Sequence, residues 1–198
     1  MELLLPACVM LQMLCFVSGY PSGAPTGACE DMLPRHSGVL PQPSPAPYAL
    51  LVNSGTFQPG EAITVTITGP EYRGVLLEAR TLGSTNALGS WRLPPPDTKF
   101  LQCTGNPQGA VTHSNTNLKG KTTVYSWIPP NSTSLIYFMA TVAQQRTVFW
   151  VNVRSAALTR GKPGGLGLAT CANASAGIAG KKPLLLLVMC FLMLKVLG

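Results

Sequence analysis

Side chains able to do covalent or acid–base chemistry are scarce in this chain, and their spacing limits what they can do. There are two histidines, His36 and His113, and neither stands at metal-ligand spacing with cysteine or carboxylate. A zinc site needs three or about four converging donors, so no metal or other cofactor is expected. Glu30 and Asp31 are adjacent. In extended chain they point to opposite faces, which separates them as an acid and base pair. No GxSxG, HExxH or phosphate-cradling glycine loop occurs, so the sequence offers no catalytic set.

Modification chemistry is better supported. Asn131-Ser132-Thr133 is a glycosylation acceptor placed in a turn after Pro129-Pro130, and Asn173-Ala174-Ser175 is a second. Of six cysteines, Cys8 and Cys15 lie in an apolar N-terminal run and Cys190 in an apolar C-terminal one. Cys29, Cys103 and Cys171 remain. Disulfides persist in secreted chains, but cysteine spacing alone does not fix which pair. Trp91, Trp127 and Trp150 could line a groove, although tryptophans in a domain of this size are more often core.

The two ends carry addresses. Leu3–Val17 is apolar and Val17-Ser18-Gly19 supplies small residues, the pattern of a signal peptide over residues 1–19 cleaved before Tyr20. The segment before the apolar run holds Glu2 and no Lys or Arg, which departs from that pattern. At the other end, small residues at Asn173 to Ser175 precede a spacer with Lys181-Lys182 and an apolar tail, residues 184–198. This order fits a glycosylphosphatidylinositol signal, with Asn173 or Ser175 as the attachment residue. A short membrane-spanning tail is the alternative, and Lys195 interrupts both. Either way the expected location is the secretory pathway and the outer face of the plasma membrane, or else free secretion.

Between Tyr20 and Ser175 there are eleven Lys and Arg against six Asp and Glu, a net +5. The basic residues are scattered along the chain, which reads as a mildly cationic surface and not as a nucleic-acid patch.

The elements that would position these residues are strands. In Glu61–Thr68, Ile63, Val65 and Ile67 alternate with Thr64, Thr66 and Thr68. Successive side chains on a strand face opposite ways, so this run has one apolar and one hydroxyl face. Further strands are expected over 48–53, 74–81, 98–103, 110–113 and 121–128, with a hairpin of 134–143 and 147–154 turning at Gln144-Gln145-Arg146. Leu76-Leu77 obscures the period of the 74–81 run. Pro41, Pro43, Pro45 and Pro47 exclude helix from an N-terminal arm, which is read as a lead-in lying along the domain. About eight short strands with regular turns predict an all-β, immunoglobulin-like antiparallel sandwich over residues 20–155. Residues 156–183, with their cluster of glycines, read as a stalk.

With these residues assembled, the chain resembles the reelin (reeler) domain family. The resemblance rests on Tyr20-Pro21-Ser22-Gly23-Ala24, Cys29-Glu30-Asp31-Met32 with Pro34-Arg35-His36, and Phe57-Gln58-Pro59-Gly60-Glu61. It continues through Leu76-Leu77-Glu78-Ala79-Arg80, Cys103, Val111-Thr112-His113-Ser114 and Phe149-Trp150-Val151. It implies a sandwich with a Cys29–Cys103 bridge. Family members include insect defence proteins made of this domain almost alone, and ferric-chelate reductase-like proteins in which it precedes a DOMON domain and a haem-binding membrane domain. No such regions follow in this sequence, so redox activity is not expected to transfer. The resemblance implies a non-enzymatic extracellular or cell-surface recognition module, in defence, whose ligand is a protein, a glycan or a microbial surface. The alternative is an accessory relative of the reductases with no redox centre of its own.

Overall fold

Alternation of the kind seen at Ile63–Thr68 builds one layer of this molecule, described here over residues 19–161 by a computed structural model. In chain order the strands are β1 (Ala49–Val52), β2 (Thr56–Phe57), β3 (Ile63–Thr68), β4 (Gly74–Arg80), β5 (Ser90–Trp91) and β6 (Thr98–Cys103). They continue as β7 (Asn106–His113), β8 (Thr122–Ile128), β9 (Leu135–Gln145), β10 (Val148–Arg154) and β11 (Leu158–Arg160). A 3-10 turn, Thr26–Ala28, precedes them.

Two sheets form. The smaller has the order β1-β3-β8-β5, and the larger runs β2-β11-β9-β4-β7-β6, with β10 also paired to β9. All pairings are antiparallel except β11 with β2. The expected all-β sandwich is therefore the architecture. Ile63, Val65 and Ile67 point into it, with Ile63 opposite Trp127 and Val65 opposite Tyr125 on β8. They meet Leu77, Ala79, Val111, Phe138 and Val142 of the larger sheet. Phe138 sits against both Trp127 and Trp91, with ring centroids 5.2 and 5.8 Å away. Both indoles are buried, and their N–H groups donate to the carbonyls of Leu88 and Gly109.

β4 explains why its sequence lacked a clear period. Val75, Leu77 and Ala79 face the sandwich interior, while Leu76 belongs to a second buried cluster with Ala28, Met32, Cys103, Ala110 and Met139. The N-terminal arm covers the outer face of the larger sheet, so β4 is buried on both sides. The arm does lie along the domain: Gln42 N donates to Phe149 O, and Trp150 Nε1 to Ser44 Oγ.

Three expectations need correction. Among the described residues there are eleven strands, not about eight, because β2, β5 and β11 are only two or three residues long and too short to show a period. The folded region does not stop at Ser155: Leu158 is fully buried and β11 pairs with both β9 and β2. The basic residues are not all surface groups, since Arg80 and Lys119 are buried. The expected signal peptide, Cys171, the sites Asn173 and Ser175, and the tail lie outside the described residues. Among the described residues, no helix is long and apolar enough to cross a membrane.

Candidate functional site

The arm is pinned to the larger sheet at several points, each with an identifiable chemical cause. Ala24 N donates to Thr112 Oγ1 at 2.9 Å, and that hydroxyl donates onward to Val75 O at 2.8 Å. Thr141 Oγ1 donates to Met32 O at 2.6 Å. Gly23 has φ +121, and a Cβ there would come within 2.8 Å of His113 O. Only glycine allows the arm this close to β7. The Cys29–Cys103 bridge, S–S 2.00 Å and Cα–Cα 5.6 Å, ties the arm to the end of β6.

Between these pins the arm stands off the sheet and leaves a cleft of ≈ 420 Å³. Ala24, Ala28 and Met32 of the arm form one wall, and Leu76, Thr141 and Ala143 of the sheet form the other. His36, His113, Arg73 and Arg146 also line it, as do Tyr20 and Gln145, and no carboxylate, serine or cysteine is among the lining residues.

Both imidazoles are structural ties. His113 Nε2 donates to Tyr20 O at 2.8 Å, while its Nδ1 accepts from Val75 N–H at 3.3 Å. That pairing fixes the neutral tautomer with hydrogen on Nε2. His36 Nδ1 donates to Arg146 O at 2.7 Å, and its ring sits edge-on to Phe149. Burial holds both histidines below the ordinary 6.5, against the raising effect of their backbone hydrogen bonds. A group held low when docked binds its proton more readily when released, so the stability it lends is full above about pH 6.5 and falls on acidification. Wild type is therefore expected to exceed His113→Gln in stability near neutral pH, and the gap should narrow as pH falls towards about 5. Urea unfolding at both pH values checks this. A gap that does not change with pH would contradict it.

Lys119 and the lining residue Arg73 are tied to the loop before β8. Lys119 Nζ donates to the carbonyls of Arg73 (2.8 Å), Asn117 (3.0 Å) and Asn115 (3.2 Å). Arg73 Nη1 donates to Thr116 O at 2.8 Å. Arg146 Nε is buried and meets no hydrogen-bond partner among the described residues.

Of the residues singled out from sequence, Cys29 and Cys103 are joined, as the resemblance implied. Asn131 is exposed, in the turn between β8 and β9. His36 and His113, distant in sequence and given no role there, meet in one cleft. A buried ion pair escaped the sequence reading altogether: Arg80 Nη2 lies 2.9 Å from Glu78 Oε2, with both side chains essentially inaccessible. The available signal was two opposite charges two residues apart within an apolar strand. Glu78 Oε1 also lies 3.3 Å from Cys103 Sγ. Cys29, Glu78 and Cys103 thus cluster within 4.8 Å, but both sulfurs are committed to the disulfide. That leaves a single carboxylate, too few donors for a metal.

Residues 27–164 match the reeler domain family. "Putative defense protein 3" of Antheraea mylitta is 40% identical over 152 residues, covering 74% of this chain and 90% of that protein. "Putative defense protein Hdd11" of Hyphantria cunea is 38% identical, covering 72% and 89%. "Ferric-chelate reductase 1" of Mus musculus is 33% identical over 80% of this chain, but the match spans only 27% of the reductase. Among solved structures, the human F-spondin reeler domain covers 63% of this chain and 96% of its own at 19% identity and a TM-score of 0.49.

Proposed function

We propose, because the chain belongs to the reeler domain family, that it is a non-enzymatic recognition module acting outside the cell in defence, with the cleft beneath its arm as the ligand site. The observation that carries this reading is extent: the match takes in 90% of a relative named as a defence protein, so the module is nearly the whole of that protein. The cleft favours binding over chemistry. Both nitrogens of His113 are occupied by backbone groups, which leaves it no free position to act as a general base. The Cys29–Cys103 bridge suits an oxidising compartment, and the exposed Asn131 is placed to carry a glycan there.

The partners under this reading are protein, glycan or microbial surfaces, reached from the outer face of the plasma membrane or after secretion. Incubating the secreted protein with intact bacterial and fungal cells tests this. Retention on at least one cell type is expected, and absence from all of them counts against the reading. A second reading, an accessory to ferric-chelate reduction, is supported by the 33% identity to the reductase's matching region. Co-purification with a haem-bearing membrane partner, with no haem absorption band in the isolated protein, would favour it.

Attachment through a lipid at Asn173 or Ser175 follows from the order of small residues, spacer and apolar tail. Treating intact cells with phosphatidylinositol-specific phospholipase C should release the protein. Retention, with detection of an epitope placed after Leu197, would show that the tail persists.

A further inference from the structure

We propose that the cleft takes an amphiphile with a single acyl-type chain and a small anionic head, the chain lying along Met32, Leu76 and Ala143 and the head meeting Arg146 and Arg73. This rests on the cleft being the ligand site, and it names the ligand's chemical class. Shape and polarity suit such a ligand. The ≈ 420 Å³ volume is in the range of small-molecule pockets, about 300–1,000 Å³, and alanine, leucine and methionine side chains dominate the walls, with Thr141 and Gln145 as minor polar groups. Such walls reward apolar surface and offer few partners to a sugar's many hydroxyls.

Charge suits it as well. Two guanidinium groups line the cleft and no carboxylate does. Of the six acids among the described residues, Asp97 accepts from Asn115 and Asn117, Asp31 pairs with Arg35 and Glu78 pairs with Arg80, while Glu30, Glu61 and Glu71 do not line the cleft. Arg73 is held by a neutral carbonyl, so its charge is not cancelled. Arg146 Nε is a buried donor that meets no acceptor among the described residues. Buried donors are nearly always satisfied, and a guanidinium is best satisfied by a carboxylate or phosphate. Burial holds His36 and His113 low, so the two guanidinium groups supply the cleft's positive charge near neutral pH. One charged end and one apolar body define the ligand.

The test titrates the secreted protein by calorimetry with dodecanoate, dodecyl phosphate and dodecanol, all below micelle formation. Both anions should bind, and dodecanol should bind at least about tenfold more weakly. Arg146→Met should weaken dodecanoate by about tenfold while leaving dodecanol unchanged. The Met32 methyl resonance should shift on adding dodecanoate to wild type, a readout that needs no variant. Vesicles containing phosphatidylglycerol form a second arm. Their capture, sensitive to Arg146→Met, would identify a bilayer lipid as the source of the anion, and binding of dodecanoate alone would identify a free amphiphile. Equal binding of dodecanoate and dodecanol, or an unshifted Met32 methyl at saturating dodecanoate, overturns the proposal. Retention on microbial cells that survives such a failure would leave the recognition reading standing and the ligand class refuted.

Discussion

Arg80→Met is expected to destabilise the fold by about 3–5 kcal/mol, the range for removing one partner of a buried ion pair. Arg80 is 3% exposed and Glu78 0%, so solvent does little to screen the charge left behind. Arg80 Nε and Nη2 both approach Glu78 Oε2, at 3.0 and 2.9 Å. The same guanidinium also donates to the carbonyls of Cys29 and Glu30, so the substitution loosens the arm at its covalent anchor as well. The cost should depend on pH. Burial pushes Glu78 up to about 7 from 4.5 even with Arg80 opposing it. A group raised on folding lends stability below its unfolded value, and that stability is lost as pH rises through the folded one. Without Arg80 the carboxyl is held higher still, so the variant should suffer most at alkaline pH and recover on acidification. Adding Glu78→Gln should return part of the loss, because the two residues act as one unit. Guanidinium unfolding of the single and double variants measures all of this. A single variant within 1 kcal/mol of wild type, a value typical of exposed pairs at about 0–1 kcal/mol, would mean the pair is not buried as described.

Cys103→Ser should cost about 2–5 kcal/mol and reduce secretion. The bridge closes a loop with a sequence separation of 74, for which the chain-entropy relation gives about 4 kcal/mol. It also fixes the arm over β4, so its loss should raise exchange of the Ala24 amide, which is bonded to Thr112 Oγ1. Reduction of wild type should reproduce the effect, separating loss of the bridge from loss of the cysteine side chain. Finding both thiols free in the secreted protein would contradict the pairing.

The smaller sheet was legible in the sequence because β3 is buried on one face only, so Ile63, Val65 and Ile67 betray it. β4 was not, since the arm covers its second face and makes Leu76 as apolar as Leu77. The bridge was legible through resemblance; cysteine spacing alone left it open. The cleft was hidden for a topological reason. Met32, Leu76, His113 and Arg146 come from four distant stretches, and no local pattern links them before the arm folds across the sheet. Arg80 and Lys119 looked like ordinary surface cations because burial of a charge depends on partners: a carboxylate for one, three backbone carbonyls for the other.

The central claim is recognition through the cleft, and retention on microbial cells with the cleft open or filled measures it most directly. Ala143→Phe would project a ring between the walls, and Leu93→Ser, at a residue 88% exposed, serves as a surface control. Unfolding midpoints near wild type would establish that both variants fold. Wild type and the control should be retained equally, with the filled variant reduced by about tenfold or more. Equal retention of all three, or retention of none, would contradict the account.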